Sequence, residues 1–156
     1  MTEDKLVDAI DDSMGRLRSD SHSDLAGRMV LDNVPKSLQR TVCKVAPVGQ
    51  MYLDYVTGHP GTTPAALRDV LQVSKGAISQ NARRLIKLGL LTSYKQEDNL
   101  KAVHYAVTTN GQLIGAAHRK MRGIVHEQEQ RLLDQYTDDE VAAINDFLKR
   151  AVGVLR

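Results

Sequence analysis

Cysteine and aromatic residues are scarce in this 156-residue chain, which contains one cysteine, one phenylalanine and no tryptophan. The single cysteine, Cys43, excludes an intramolecular disulfide and is typical of a reducing compartment. With aromatics at 4% of the residues, the core must be built from Leu, Val, Ile, Ala and Met, which suits packed helices. No apolar run approaches the roughly 18 residues of a membrane helix, and the acidic N-terminus lacks a signal peptide. We therefore expect a cytoplasmic protein that stays out of the membrane.

Signatures of catalysis and of metal binding are also missing. There is no glycine-rich phosphate loop and no nucleophile elbow, and the adjacent carboxylates fall where they would diverge on a helix or lie in a hairpin tip. The histidines include no His-x-x-x-His pair, so we interpret them as unrelated surface residues. The sequence predicts no catalytic residue, no metal site and no cofactor. The histidines are His22, His59, His104, His118 and His126.

Charge is unevenly distributed along the chain, although the net charge is only +2. Residues 1–33 hold four Lys and Arg against eight Asp and Glu, a balance of −4. Residues 62–101 hold seven against three, a balance of +4. A basic segment in a near-neutral chain is expected where a protein contacts phosphate groups, but a solvated helix face would carry the same charges. The order of the predicted elements decides between these interpretations.

Two short helices joined by a tight turn are predicted within the basic segment. Thr63 followed by Pro64 is an N-cap and first-position pair for a helix over residues 64–71. Gln72 and Val73 leave room only for a turn. Ser74 then caps a second helix, in which Ile78, Ala82 and Leu85 form an apolar stripe and Gly89 is the stop.

A β-hairpin is predicted to follow, because the apolar period changes to two after Gly89. Val103, Tyr105 and Val107 alternate with less bulky or polar residues, as in a half-buried strand. Its predicted partner is Leu90–Gln96, and Glu97–Lys101 forms the predicted tip. Helix, turn, helix and hairpin in this order indicate a winged helix-turn-helix, which presents one helix to a DNA major groove and the hairpin to the flanking backbone.

The second helix exposes small and polar residues that can reach base edges and phosphates. Together with the caps and the hairpin, this face gives the predicted DNA-binding set. Its members are Thr63, Ser74, Lys75, Gly76, Ser79, Gln80, Arg83, Arg84, Lys87, Lys95, Asn99 and Lys101.

The remainder of the chain reads as helical, apart from an ambiguous stretch at residues 36–45. A long helix is predicted to begin at Thr108 or Thr109, and residues 137–140 have capping-box spacing for a last helix. We predict a mainly α fold with a dimerisation segment at 1–45, the winged domain at 46–108 and further dimerisation helices at 109–156. The terminal stripes that would pair across a two-fold axis contain Leu6, Ile10, Ile144, Leu148 and Val152.

Three stretches together resemble the MarR family of bacterial transcriptional regulators. They are Ser74 to Leu91 (SKGAISQNARRLIKLGLL), Val107 to Gly111 (VTTNG) and Thr137 to Glu140 (TDDE), within a match over about residues 47–156. The resemblance implies a homodimeric repressor on a pseudo-palindromic double-stranded DNA operator, tuned by a small-molecule effector or an oxidant. The family usually carries Asp-Arg-Arg at the wing, where Asn99, Leu100 and Lys101 stand here. Because lysine lacks the planar fork of arginine, weaker minor-groove readout is expected.

Two alternatives remain beside this interpretation. Cys43 could be a redox sensor if Arg40 and Lys44 favoured its thiolate, but a small buried hydrophobe is the preferred reading. The winged helix could instead be a protein–protein adaptor. Protein interfaces favour Tyr, Trp, Phe and Met as anchors, and the predicted face has none, which favours DNA.

Overall fold

The computed structural model describes residues 3–19, 23–97 and 99–154. Within them the chain is mainly helical with one two-stranded antiparallel sheet, as the sequence predicts. The chain forms two compact units, Met1–Met121 and Arg122–Arg156. The elements in chain order are α1 (Glu3–Ser19), α2 (Ser23–Asp32), α3 (Lys36–Val42), α4 (Pro47–Gly58), α5 (Pro64–Leu71), α6 (Lys75–Lys87), β1 (Leu91–Gln96), β2 (Asn99–Val107), α7 (Thr109–Leu133) and α8 (Asp138–Val154).

Local capping signals set the helix boundaries of the winged domain. The Thr63 hydroxyl accepts the Ala66 amide at 3.3 Å, and the Ser74 hydroxyl accepts the Ala77 amide at 3.2 Å. These bonds satisfy backbone donors that a helix N-terminus leaves free. Gln72, with φ 53°, makes the left-handed turn between α5 and α6, and Gly89, with φ 69°, ends α6.

The core of the first unit is aliphatic with a small aromatic contribution. Tyr52 and Tyr105 pack edge to face with ring centroids 5.7 Å apart, and burial raises the pKa of Tyr52 above its usual range. The predicted stripe of α6 is buried. The most deeply buried large side chains are Tyr52, Leu53, Leu67, Ile78, Leu85, Leu90, Leu91, Ile114, Val30 and Val56. The spacing of Ala66, Leu67, Val70 and Leu71 predicts an apolar face for α5, but Val70 is exposed and Leu67 is the buried residue of this helix.

The ambiguous stretch at residues 36–45 contains α3, whose Leu38 and Val42 are buried. Its N-cap, Pro35, has no side chain that can accept a hydrogen bond, and α3 spans only seven residues. Two buried side chains one turn apart hold this segment in place, so it depends on tertiary packing rather than on local propensity.

The wing differs from the prediction at its outer end. The five-residue tip Glu97–Lys101 is wrong, since Asn99 pairs with Gln96 and β2 begins at Asn99. The predicted alternation along β2 is only partly observed. Tyr105 is buried, while its neighbours Val103, His104, Ala106 and Val107 are all half-buried. The sheet has two strands, and neither face of β2 is fully covered.

The first turns of α7 pack closely against the rest of the first unit. Thr108 caps this helix by accepting the Gly111 amide at 3.1 Å, and its own amide donates to the Leu90 carbonyl at 3.1 Å. The spacing of Leu113, Ala117 and Met121 predicts Leu113 on the apolar stripe of this helix, but Leu113 is exposed, whereas Ile114 is fully buried. The small residues Gly111 and Gly115 let this helix approach its neighbours, which shifts the buried face by about one position.

The capping box of α8 is formed as predicted. The Thr137 amide donates to the Glu140 carboxylate at 2.8 Å, and the Glu140 amide donates to the Thr137 hydroxyl at 3.4 Å. The bond from the Thr137 amide lowers the pKa of Glu140 below its usual range. The charged form of Glu140 is therefore the one that caps α8.

Candidate nucleic-acid interface

Helix α6 is held by one face and free on the other. Ile78, Ala82 and Leu85 point inward and are almost fully buried. The opposite face is exposed, and the helix contains four basic residues and no acidic one. The side chains that the sequence predicted on this face are all exposed: Lys75, Gly76, Ser79, Gln80, Arg83, Arg84 and Lys87.

Arg83 lies at the centre of this face. Its Nε donates to the Ser79 carbonyl oxygen at 3.3 Å, one helical turn back. That bond orients the guanidinium while using only one of its five N–H donors. Gln80 belongs to the same exposed turn and carries both a donor and an acceptor. The arrangement offers directional hydrogen bonds together with positive charge.

The basic charge of α5 is partly neutralised, in contrast to that of α6. Arg68 donates from Nε and Nη2 to the Asp69 carboxylate, at 3.0 Å and 2.8 Å. Both side chains are exposed, so the pair adds little stability. The Arg68–Asp69 pair does direct the Arg68 guanidinium toward a neighbouring carboxylate. The uncompensated positive charge of the two helices is therefore concentrated on α6.

Thr63 and Ser74 are the N-caps of α5 and α6, and this role limits their contacts with a ligand. Each hydroxyl oxygen accepts a backbone amide as the N-cap of its helix. The hydroxyl proton of each remains a donor, which could reach a phosphate oxygen. The structure thus places both predicted residues at the start of a helix, where each hydroxyl already accepts one backbone amide.

The wing is tied to the loop before α5 by backbone and side-chain bonds. The Tyr105 amide donates to the Thr62 carbonyl at 2.9 Å, and the Gly61 amide donates to the Tyr105 carbonyl at 3.0 Å. His104 Nδ1 lies 2.8 Å from the Gly61 carbonyl oxygen, and its ring stacks on Tyr94 with centroids 5.6 Å apart. These contacts fix the base of the hairpin to the helix-turn-helix. Sequence reasoning missed His104, whose partner lies 43 residues away.

A buried polar cluster joins α4 to α7, and it corrects the interpretation of the histidines. Asp54 is 5% exposed and its carboxylate lies 3.1 Å from His118 Nδ1, which is also 5% exposed. Arg119 donates to the same carboxylate at 2.8 Å and to the Asp54 carbonyl at 2.9 Å. His118 is therefore a core residue hydrogen-bonded to a buried carboxylate, not a surface histidine. A buried carboxylate is stable only with such partners.

Cys43 is exposed, so its interpretation as a small buried hydrophobe is wrong. It follows α3 directly and its amide donates to the Gln39 carbonyl at 3.1 Å. The buried faces of this segment belong to Val42 and Val45, on either side of it. The local backbone turns the cysteine outward.

The structure describes the side chains of four of the five predicted dimerisation residues. Ile10 on α1 and Ile144, Leu148 and Val152 on α8 are exposed large hydrophobics. Leu6 lies in α1, but its side chain is outside the described residues, and so is the whole of His22. On the opposite side of α8 Arg150 pairs with Asp146 at 2.8 Å. Helix α8 is thus amphipathic with its apolar side uncovered in the single chain.

Neither a metal centre nor a membrane span is found among the described residues. No group of three or more His, Cys, Asp or Glu side chains there could hold a metal ion. None of the helices, within the same residues, is long and apolar enough to cross a bilayer.

Comparisons with known proteins agree with the winged helix. The sequence model described as MarR family matches residues 51–99. Two regulators of Bacillus subtilis are similar: the uncharacterized HTH-type transcriptional regulator YvnA, 27% identical over 77 residues, and the HTH-type transcriptional regulator PchR, 25% identical over 103 residues. These matches cover 49% and 66% of this chain. They span 49% and 61% of the relatives, so the chain matches about half of the first and less than two thirds of the second.

The fold also matches a solved structure along its whole length. ZitR of Lactococcus lactis, solved in complex with DNA, superposes with a TM-score of 0.71 at 16% identity, covering 100% of this chain and 99% of that one. ZitR is described as a zinc-responsive MarR family member. At this identity the likeness concerns the fold. The family model, the curated relatives and the fold agree that the chain is similar to winged helix-turn-helix regulators of the MarR family.

Proposed function

We propose that the protein is a DNA-binding transcriptional regulator, a repressor rather than an enzyme, that places α6 in the major groove of its operator. The exposed face of α6 carries this proposal. It combines four basic residues and no acidic one with the hydrogen-bonding side chains of Ser79 and Gln80. Arginine and glutamine match base edges in the major groove, and serine reaches either bases or phosphates. ZitR, which shares the fold, has been solved with DNA, and this supports the same role here.

The protein–protein adaptor is the weaker alternative. Interface hot spots are enriched in Trp, Tyr and Arg in packed, desolvated pockets. The predicted contact set on α6 has arginine but no aromatic or methionine side chain beside it. Such a face suits a wet, charged partner such as a duplex. A DNA regulator resides with its DNA in the cytoplasm, and the family resemblance adds a small-molecule effector that releases it.

We further propose that the regulator is a homodimer on a pseudo-palindromic operator. Ile144, Leu148 and Val152 lie along one side of α8, and they are exposed in the single chain. A two-fold axis would bury them against their symmetry mates and set two α6 helices about 34 Å apart, one turn of B-DNA. Dimerisation therefore serves DNA recognition directly.

Leu148→Glu is expected to shift the protein from dimer to monomer, because a carboxylate would be buried in an apolar interface. Ala143→Glu is the matched control, since Ala143 is also exposed but lies on the side of α8 that carries Asp146 and Arg150. Sedimentation velocity at micromolar concentration measures the change. A wild-type monomer that still binds the operator would contradict the dimer.

Lys101→Ala is expected to weaken specific and non-specific DNA binding alike. The Lys101 side chain is exposed on β2, and a lysine acts on phosphates as a compact charge. Loss of one phosphate contact lowers the slope of log K against log salt by about 0.9. Titrations across a salt series measure the slope, and Lys101→Arg should preserve or improve binding, most on A·T-rich flanks. Loss confined to the specific operator with an unchanged slope would show that Lys101 reads sequence.

A further inference from the structure

The pairing between β1 and β2 shifts register near the outer end of the wing. Tyr94 pairs with His104 and Gln96 pairs with Asn99. Between these pairs β1 has a single residue, Lys95, whereas β2 has the four residues 100–103. The surplus residues of β2 cannot enter the ladder and must bulge from it.

The bulge is closed by the side chain of Asn99, the paired residue that precedes it. The Asn99 Oδ1 accepts the Ala102 amide at 3.3 Å, which bridges Leu100 and Lys101 as an asparagine-stabilised turn does. Leu100 is 66% exposed, the largest exposure among the described large hydrophobic side chains. Lys101 beside it and Lys95 opposite are also exposed. An exposed apolar side chain thus precedes an exposed lysine on β2, and the facing strand carries a second exposed lysine.

We propose that this bulge, rather than the hairpin tip, is the DNA-contact element of the wing, and that Leu100 packs into the minor groove. The inference rests on the proposed function. The two lysines suit the phosphates that border the groove, and an apolar side chain suits its floor and sugars, as leucine wedges do in minor-groove binders. The guanine 2-amino group is the only donor in that groove. Leucine cannot accept a hydrogen bond from it, so the bulge discriminates against base pairs that carry this group.

The test uses the 156-residue chain and duplexes in which one flanking base pair at a time is changed. Replacing adenine by 2,6-diaminopurine adds the minor-groove amino group and leaves the major-groove edge unchanged. Wild-type protein is expected to lose at least about fivefold in affinity at one flanking step in each half-site. Leu100→Ala should lose this discrimination, and Leu100→Met, a matched control that keeps apolar volume, should retain it. Because Leu100 is exposed, neither substitution should change the melting temperature.

The outcomes separate this inference from the proposed function. The role of the bulge would be refuted if Leu100→Ala discriminated against the added amino group as strongly as the wild type. It would also be refuted if the wild type bound a specific operator without any discrimination at the flanking steps. In either case the proposed function as a DNA-binding regulator would stand. Failure of the wild type to prefer any selected duplex over random DNA would overturn both.

Discussion

An Arg83→Ala variant is expected to bind the operator on the order of 10- to 100-fold more weakly than the wild type. A bidentate arginine–guanine contact contributes about 1–3 kcal/mol of discrimination between bases. Arg83 lies at the centre of the exposed face of α6, and its bond to the Ser79 carbonyl uses Nε and not the terminal nitrogens. Removing Gln80 as well should bring specific binding down to the non-specific level. Fluorescence anisotropy at fixed salt measures both variants. Folding should be unaffected, since both side chains are exposed.

Arg28→Ala on α2 is the control for charge. It removes the same positive charge from an exposed position outside the helix-turn-helix. If its loss of affinity equals that of Arg83→Ala, the effect of Arg83 is general electrostatics. Unchanged binding in the Arg83→Ala, Gln80→Ala double variant would remove α6 as the reading element.

A Gly111→Ala variant is expected to lose about 3 kcal/mol of unfolding free energy, at the upper end of the usual cost of overpacking. A methyl group at Gly111 would collide with the Leu90 carbonyl oxygen and would lie 2.9 Å from the Leu90 carbonyl carbon. These neighbours are backbone atoms at the start of the wing, so relief requires α7 to move away. A chain of this size should melt about 6–12 °C lower as a result.

Gly123→Ala on the same helix is the matched control. A methyl group there meets nothing within 4 Å, and alanine is the better helix former by up to about 1 kcal/mol. A lower melting temperature for Gly111→Ala together with a higher one for Gly123→Ala, each relative to the wild type, would support the close approach at Gly111. Equal stability of Gly111→Ala and the wild type would show that α7 does not pack on Leu90.

Features of the helix-turn-helix were predictable because their causes are local. Thr63 and Ser74 cap helices from within their own first turns, Gly89 ends a helix through its own φ, and the buried stripe of α6 follows from a period of 3.6. The same reasoning gave the exposed face of α6, which is the other side of that stripe. The most direct part of the candidate site was therefore accessible from sequence.

Other features depend on partners distant in the chain and left no local signal. His118 is buried because Asp54, 64 residues earlier, accepts from it. Gly111 is required by the Leu90 carbonyl, and Ile114 rather than Leu113 faces inward where α7 makes this approach. The bulge in β2 escaped prediction because a run of polar residues is consistent with either a long tip or an irregular strand.

Selection of duplexes from a random-sequence pool by the purified protein tests the central claim most directly. We expect an enriched pseudo-palindrome whose half-sites lie about 10 base pairs apart, and the Arg83→Ala, Gln80→Ala variant should enrich nothing. Recovery of unrelated sequences by the wild type, with affinity that depends on salt but not on sequence, would contradict the assignment of α6 as a reader of operator DNA.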